Sequence, residues 1–306
     1  MGIKTFDLIA VVGPTASGKT RRAVEIANAF DGEIISGDSR QVYTGMDIGT
    51  GKDIEEYGDT PVHLIDIVNA GEKYNLHLFL KDFNRAYDLI EKREKLPVLC
   101  GGSGLYVETA LSGIILPEVP VNEKLRKNLA GRSLSELEAI LKTKKNLHNK
   151  TDVDTCQRAI RAIEIEVFYE ENPEMASYSR KTAEKKRKAL IIGIAIPREV
   201  RREKITRRLE KRLDEGMVDE VDRLLKQGID PETLIYYGLE YKYLTLFLLG
   251  QIDFKTMKDK LEIAIHQFAK RQMTWFRGME KRGYKINWIP YDLASSDFIS
   301  RVKDLL

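Results

Sequence analysis

The chain has 306 residues, of which 42% are hydrophobic and 32% charged, with a net charge of +3. That supplies a sizeable core, in one large domain or one domain carrying an insertion. No apolar run is long enough to cross a bilayer, and two cysteines, Cys100 and Cys156, provide neither a disulfide framework nor a four-ligand zinc cluster.

Met1-Gly2-Ile3-Lys4-Thr5 leads almost directly into a strand without a signal-peptide pattern, so a reducing cytoplasm is expected. Leu8 to Val12 is a short apolar run stopped by Gly13, which reads as a buried strand. Gly13-Pro14-Thr15-Ala16-Ser17-Gly18-Lys19-Thr20 then fits G-x-x-x-x-G-K-[ST], the loop that cradles phosphates. Glycines let backbone N–H groups approach phosphate oxygens, and the following helix N-terminus favours negative charge. Lys19 adds a point charge, and the Thr20 hydroxyl is a candidate Mg²⁺ ligand. A helix follows from Thr20 to Phe30, then a second strand from Glu33 to Ser36. Asp38 stands just beyond that strand, at the edge where open α/β sheets keep their sites. Its residue type alone leaves three roles open: a loop cap, a Mg²⁺ ligand, or a general base.

Pro61 to Asp66 reads as a third strand, Leu78 to Glu94 as an amphipathic helix, and Leu96 to Cys100 as another buried strand running into Gly101-Gly102-Ser103-Gly104. Strands alternating with helices imply an α/β fold with a parallel sheet of the P-loop NTPase kind. From Pro117 to about Lys188 no buried strand is expected, and this stretch reads as an all-helical insertion. Ser133 and Glu136 form a capping box there. Asp152 is expected to cap a second helix that runs to Tyr169. The core thus spans 1–116 and 189–306, with the insertion at 117–188. Leu190 to Ile196 returns as a strand, long helices follow from Arg198, and a last strand is expected at Tyr284 to Trp288. From Arg180 to Arg212 there are 14 Lys/Arg against 4 Asp/Glu, which fits either a polyanion-facing strip or a solvated helix face.

Residues 36–52, Ser-Gly-Asp-Ser-Arg-Gln-Val-Tyr-Thr-Gly-Met-Asp-Ile-Gly-Thr-Gly-Lys, taken with Gly13 to Thr20, resemble the tRNA dimethylallyltransferases (tRNA isopentenyltransferases). His63 to Ile67, Gly101 to Tyr106, Gln157 to Glu164 and Ala269 to Arg277 agree with that family, in family order across almost the whole chain. The resemblance implies transfer of a dimethylallyl group from dimethylallyl diphosphate to N6 of the adenosine 3′ of the anticodon in tRNA. It assigns Asp38 as the base that takes the N6 proton. It places the diphosphate on the phosphate loop, with Mg²⁺ at Thr20 and with Lys19 and Arg208 as catalytic cations. It places tRNA against Asp38, Ser39, Arg40, Gln41, Ser103, Arg126, Gln157, Arg158, Arg161, Lys270, Arg271, Gln272 and Arg277. The insertion becomes a tRNA-binding unit, and a monomer is expected. Arg158 and Arg161 share a helix face with Asp154, and Lys270 and Arg277 belong to a second stripe, as base and phosphate contacts require. Trp275, beside that stripe, reads as core.

The chain departs from the family pattern at Ser103, usually Thr, at Gly51, usually Ala, and at Leu239 and Glu240, where a base-edge or phosphate contact is lost. These departures leave catalysis intact and blur which tRNAs are recognised. Rival readings are an adenylate isopentenyltransferase acting on free AMP, ADP or ATP, a P-loop small-molecule kinase, and an RNA-binding scaffold with an inactive nucleotide site. The long insertion, the basic segment and intact Gly18, Lys19, Thr20 and Asp38 weigh against all three.

Overall fold

A computed structural model describes residues 6–114, 116–146, 151–175, 177 and 187–306. Met1 to Thr5 and the Arg180–Lys186 part of the basic segment lie outside them. Eight strands are described: β1 (Leu8–Val12), β2 (Gly32–Ser36), β3 (Tyr43–Thr44), β4 (Val62–His63), β5 (Val68–Asn69), β6 (Leu96–Gly101), β7 (Ala189–Ala195) and β8 (Ile286–Pro290). Six of them form one sheet in the order β4-β2-β6-β1-β7-β8, and every pairing is parallel. β1 is fully buried, as a central strand covered on both faces must be.

The expected third strand is shorter than its apolar run. Leu64 (φ 65°) and Asp66 (φ 55°) take left-handed backbone, so extended structure stops after His63. β5 instead pairs with β3 in a small second sheet that periodicity did not reveal.

The helices are α1 (Lys19–Ala29), α2 (Leu76–Lys92), α3 (Gly104–Ser112), α4 (Glu123–Leu129), α5 (Leu134–Lys144), α6 (Cys156–Glu171), α7 (Arg198–Asp214), α8 (Met217–Lys226), α9 (Pro231–Tyr237), α10 (Leu239–Leu248), α11 (Phe254–Lys281) and α12 (Ser295–Lys303). α2 starts before Leu78 because the Asn75 side chain accepts from Leu78 N, capping the helix there. Ala23 and Ile26 of α1, with Phe298 and Val302 of α12, pack on Ile9, Val11, Ile34, Val98 and Ile192 of the sheet. Phe79 of α2 meets Tyr106 of α3 with ring centroids 4.6 Å apart.

The chain divides into two compact units, Met1–Ser112 with Arg187–Leu306, and Gly113–Lys186. The second unit holds α4, α5 and α6 around Leu129, Leu137, Leu141, Ala159 and Ile163. The Ser133–Glu136 capping box opens α5. The second cap is corrected: Thr155, not Asp152, accepts from Arg158 N at the start of α6. Asp152 lies in a short 3₁₀ turn and pairs with Lys145 at 2.8 Å.

Glu164 is the electrostatic centre of this unit. It is 2% exposed. It accepts from Asn122 N (2.7 Å), from Arg126 Nε and Nη2 (3.0 and 3.1 Å), and from Arg161. Burial opposes its ionisation, yet the hydrogen bonds from Arg126 and Arg161 prevail, and its carboxyl is held below the ordinary value. The sign follows from the depressed folded value: the stability contributed by Glu164 is complete above the unfolded Glu pKa and vanishes as pH falls through the folded one. Glu164→Gln should lower stability by about 1–2 kcal/mol at neutral pH. In urea titrations at descending pH, the gap between variant and wild type should close in that acidic window.

Candidate active site

Strand order puts β2, β6 and β1 side by side, so the segments leaving their carboxyl ends emerge on one edge of the sheet. After β1 comes the phosphate loop, after β2 comes Asp38, and after β6 come Gly102 and Ser103. Three sequence blocks far apart in the chain therefore meet along one rim.

The phosphate loop takes left-handed backbone at Ala16 (φ 60°) and Gly18 (φ 80°), the latter at the N-cap of α1. Pro14 O accepts from Ser17 N at 3.3 Å, closing the turn. A β-carbon on Gly13 would fall 2.7 Å from Ser17 Oγ, so a larger residue there would displace the Ser17 hydroxyl. The Ser17 hydroxyl is buried without a hydrogen-bond partner among the described residues. Burial pushes the Lys19 ammonium below its ordinary value, and the charge of Arg208 adds to this. A desolvated cation held close to another cation is an arrangement that an anion relieves. Beside them, burial pushes the Cys100 thiol up to about 11, so it stays protonated and is no nucleophile.

Asp38 is half-buried, and its Oδ1 accepts from Arg40 N at 2.9 Å. Among the described residues its Oδ2 makes no hydrogen bond and so remains available to a proton donor. Arg40 reaches Tyr236 O (3.1 Å) and lies over the Tyr236 ring (5.2 Å). Gln41 accepts from Ser36 Oγ (2.9 Å) and donates to Gly51 O (2.9 Å). Ser39 and Ser103 are half-buried on the same rim.

Gln272, expected on the RNA face, is turned inward. It is 6% exposed, accepts from Thr15 N (2.8 Å) and donates to Gly102 O (2.9 Å), clamping the phosphate loop to the segment after β6. One turn on, Trp275, expected in the core, is half-buried and donates from Nε1 to Glu108 on α3 at 2.8 Å. Lys270, Arg271 and Arg277 are exposed on α11. Beyond β7 and β8 the same edge opens a cleft of about 520 Å³, lined by Met273, Arg277, Glu280, Trp288, Tyr291 and Asp292. Arg201 Nε is buried without a hydrogen-bond partner among the described residues. Burial pushes that guanidinium down, and Arg198, Arg277 and Arg202 push it further.

Of the site residues expected in the insertion, Arg126 and Arg161 are engaged by Glu164, and Arg161 also donates to Val119 O at 2.8 Å. Gln157 is exposed, and Arg158 is exposed beside Asp154 at 3.1 Å.

Sequence reasoning passed over the residues that shape the loop after β3. Buried Glu220 accepts from Asp47 N, Ile48 N and Gly49 N (2.8, 2.8 and 3.0 Å) and from Tyr241 OH (2.7 Å). The Lys52 ammonium, 1% exposed, donates to Tyr43 O (2.7 Å), Asp47 Oδ1 (2.6 Å) and Asp66 Oδ1. Asp47 and Asp66 thus neutralise a buried lysine. The loop so pinned presents Asp53 to Arg208, which forms an ion pair with it.

A phosphate loop, a free carboxylate oxygen and basic groups on one rim define an enzyme that transfers a group from a phosphorylated donor. The comparisons narrow this class. A family model described as IPP transferase matches residues 41–279, and one described as isopentenyl transferase matches 6–60. The chain is 56% identical to tRNA dimethylallyltransferase 2 of Phocaeicola vulgatus, over 99% of each chain. It is 54% identical to tRNA dimethylallyltransferase 1 of Parabacteroides distasonis, again over 99% of each. Among solved structures, the full-length tRNA isopentenylpyrophosphate transferase of Bacillus halodurans matches with TM-score 0.70 and 31% identity, covering 97% of this chain and 94% of that one. A eukaryotic dimethylallyltransferase acting on tRNA shares the fold at TM-score 0.79 and 20% identity, over 97% of this chain and 79% of that one. The chain belongs to the tRNA dimethylallyltransferase family. None of its described helices is long and apolar enough to cross a membrane.

The clamp makes a specific forecast. Gln272→Ala should weaken inorganic pyrophosphate binding about tenfold, by loosening Thr15 N, and leave tRNA affinity nearly unchanged. Calorimetric titration of both ligands separates this from an RNA-facing role.

Proposed function

We propose that this protein transfers the dimethylallyl group of dimethylallyl diphosphate to N6 of the adenosine just 3′ of the anticodon in tRNA, acting as a monomer in the cytoplasm. One observation carries the reading: the phosphate loop and the free Asp38 oxygen follow β1 and β2, strands of a single parallel sheet with only β6 between them, and so lie on the same rim. The names of relatives more than half identical over almost the full chain support it.

The adenine amine is a poor nucleophile because its lone pair is delocalised into the ring. As the N6–C bond forms and the C–O bond to the diphosphate breaks, the amine proton passes to Asp38, whose Oδ2 is the open acceptor. The diphosphate leaves with the electron pair of the broken bond. Loop N–H groups, Lys19 and Arg208 stabilise the growing charge on it. To reach Asp38 the base must leave its stack, at a cost of a few kcal/mol. Ser39, Arg40, Gln41 and Ser103 line the place where it arrives.

Mg²⁺ fits the donor set. Among the described residues no group of three or more His, Cys, Asp or Glu gathers to cage a metal. The Thr20 hydroxyl at the start of α1 offers one neutral oxygen. A hard cation that keeps most of its shell from phosphate and water asks for no more. When bound there it would supply charge neutralisation at the diphosphate.

Lys270, Arg271 and Arg277 on α11 suit RNA phosphates, and Arg201 with its arginine neighbours extends that surface. In the insertion, Gln157 and Arg158 are the accessible candidates. Arg126 and Arg161 would contribute through the parts of their guanidinium groups left exposed beside Glu164, each 39% exposed along the side chain.

The test is incubation with dimethylallyl diphosphate and either unmodified tRNA or AMP, read by nucleoside mass spectrometry. Prenylated adenosine in tRNA is expected. Turnover on AMP alone, or ATP consumption without prenyl transfer, reverses the conclusion. Asp38→Asn should lower kcat by about 10²–10⁴-fold, with tRNA affinity changed less than about twofold. Full activity in that variant would sink the general-base assignment.

A further inference from the structure

Gly51 has φ +63°, and a β-carbon built on it would fall 1.6 Å from Arg212 Nη2 and 2.7 Å from Arg208 Nη2. The missing side chain leaves a notch, and the Arg212 guanidinium fills it. Arg212 is only 11% exposed along its side chain, yet its buried Nη2 has no hydrogen-bond partner among the described residues. Asp53 Oδ2 lies 3.6 Å from that nitrogen, close enough for charge attraction and too far for a hydrogen bond. The same Oδ2 is ion-paired with Arg208. Arg208 and Arg212 stand four residues apart on α7 and so share a face. Two guanidinium groups therefore converge on one carboxylate oxygen, and only one is hydrogen-bonded to it. Burial and the neighbouring Arg208 push the Arg212 guanidinium below its ordinary value. A buried cationic donor left unfilled beside a shared carboxylate is costly, which singles out Arg212 for a role in another state of the protein.

We infer that Arg212 is a positioning residue of the diphosphate pocket, which takes over Asp53 when Arg208 turns to the diphosphate. The inference rests on the function proposed above. Arg208 is engaged by Asp53, and a diphosphate on the phosphate loop competes for it with more charge and with paired oxygens that match a guanidinium fork. Were Arg208 to leave alone, Asp53, 39% exposed along its side chain, would lose its one hydrogen-bonded ion pair. Arg212 Nη2 already faces the oxygen that would be released, and a shift of less than one ångström (from 3.6 Å) makes it a hydrogen bond. Asp53 then keeps one hydrogen-bonded ion pair while one guanidinium is freed for substrate. Gly51 matters because no other residue leaves room for the second guanidinium.

The test compares wild type, Arg212→Met, Arg212→Lys, Gly51→Ala and the double variant Gly51→Ala/Arg212→Met, by steady-state kinetics with each substrate varied and by thermal melts. Arg212→Met should raise KM for dimethylallyl diphosphate about tenfold, keep KM for tRNA within about twofold, and leave Tm no lower, because a buried and incompletely hydrogen-bonded charge gives way to a shorter apolar chain. Arg212→Lys, keeping the charge, should recover a large part of that loss. Gly51→Ala, which expels the guanidinium, should lower Tm and raise the same KM. In the double variant Tm should rise above that of Gly51→Ala alone while KM stays high, a non-additive signature of direct contact. The inference is overturned if Arg212→Met leaves KM for the diphosphate unchanged, if it raises both KM values equally, or if the double variant is no more stable than Gly51→Ala. Should wild type transfer no prenyl group at all, the function falls instead. Pyrophosphate titration then still decides the inference, with about tenfold weaker binding expected for Arg212→Met and equal binding refuting it.

Discussion

Three parallel pairings, β2 with β6, β6 with β1 and β1 with β7, carry the architecture of this protein. Parallel strands deliver all their carboxyl ends to one edge, and each crossover brings the chain back to start again from the other. The phosphate loop, Asp38 and the Gly102–Ser103 segment share a rim for that reason alone. A slip of β2 by one residue would exchange the faces of Ile34 and Ile35 and carry Asp38 away from the loop. The apolar run from Leu8 to Val12, buried on both faces, forms the centre of the sheet between β6 and β7.

On this frame a second layer of constraint is electrostatic. The loop after β3 has little regular structure, and buried charges hold it. Glu220 collects three successive backbone N–H groups, and Lys52 gathers two carboxylates and a carbonyl. Charges with their hydrogen-bonding capacity so filled can remain buried. Their effect is to aim Gly51 O and Asp53 at α7, which is how the loop and Arg208 come to act together. Gln272 does the equivalent for the phosphate loop with a neutral amide, filling both ends of its side chain.

The same accounting separates basic residues that hold the protein together from those left for a polyanion. In the insertion, Glu164 engages Arg126 and Arg161, whereas Gln157 is exposed and Arg158 pairs with an exposed Asp154. In the core, Arg277 and the arginines at the start of α7 surround Arg201 with like charge. Unbalanced positive charge of that kind is what phosphate-rich partners stabilise.

What could be read without the fold were the features set by nearest neighbours. The phosphate loop follows from glycine backbone freedom and a lysine in fixed spacing. The strands at Leu8 to Val12 and Leu96 to Gly101 follow from short apolar runs, and the Ser133–Glu136 cap from a reach of three residues. Asp38 was legible as a carboxylate beyond a strand, and its match to a known family gave it a task. What could not be read were the pairings between residues that the chain separates widely. Gln272 meets Thr15 across 257 positions, and Glu220 meets Asp47 across 173. No periodicity announces such contacts, because each depends on how whole elements pack. The sequence by itself therefore determined which chemistry-bearing groups exist and which strand each follows. Only the tertiary structure decided which charges are consumed in holding the fold and which, like the second oxygen of Asp38, remain to act, since Coulomb attraction and hydrogen bonding answer to distance in space.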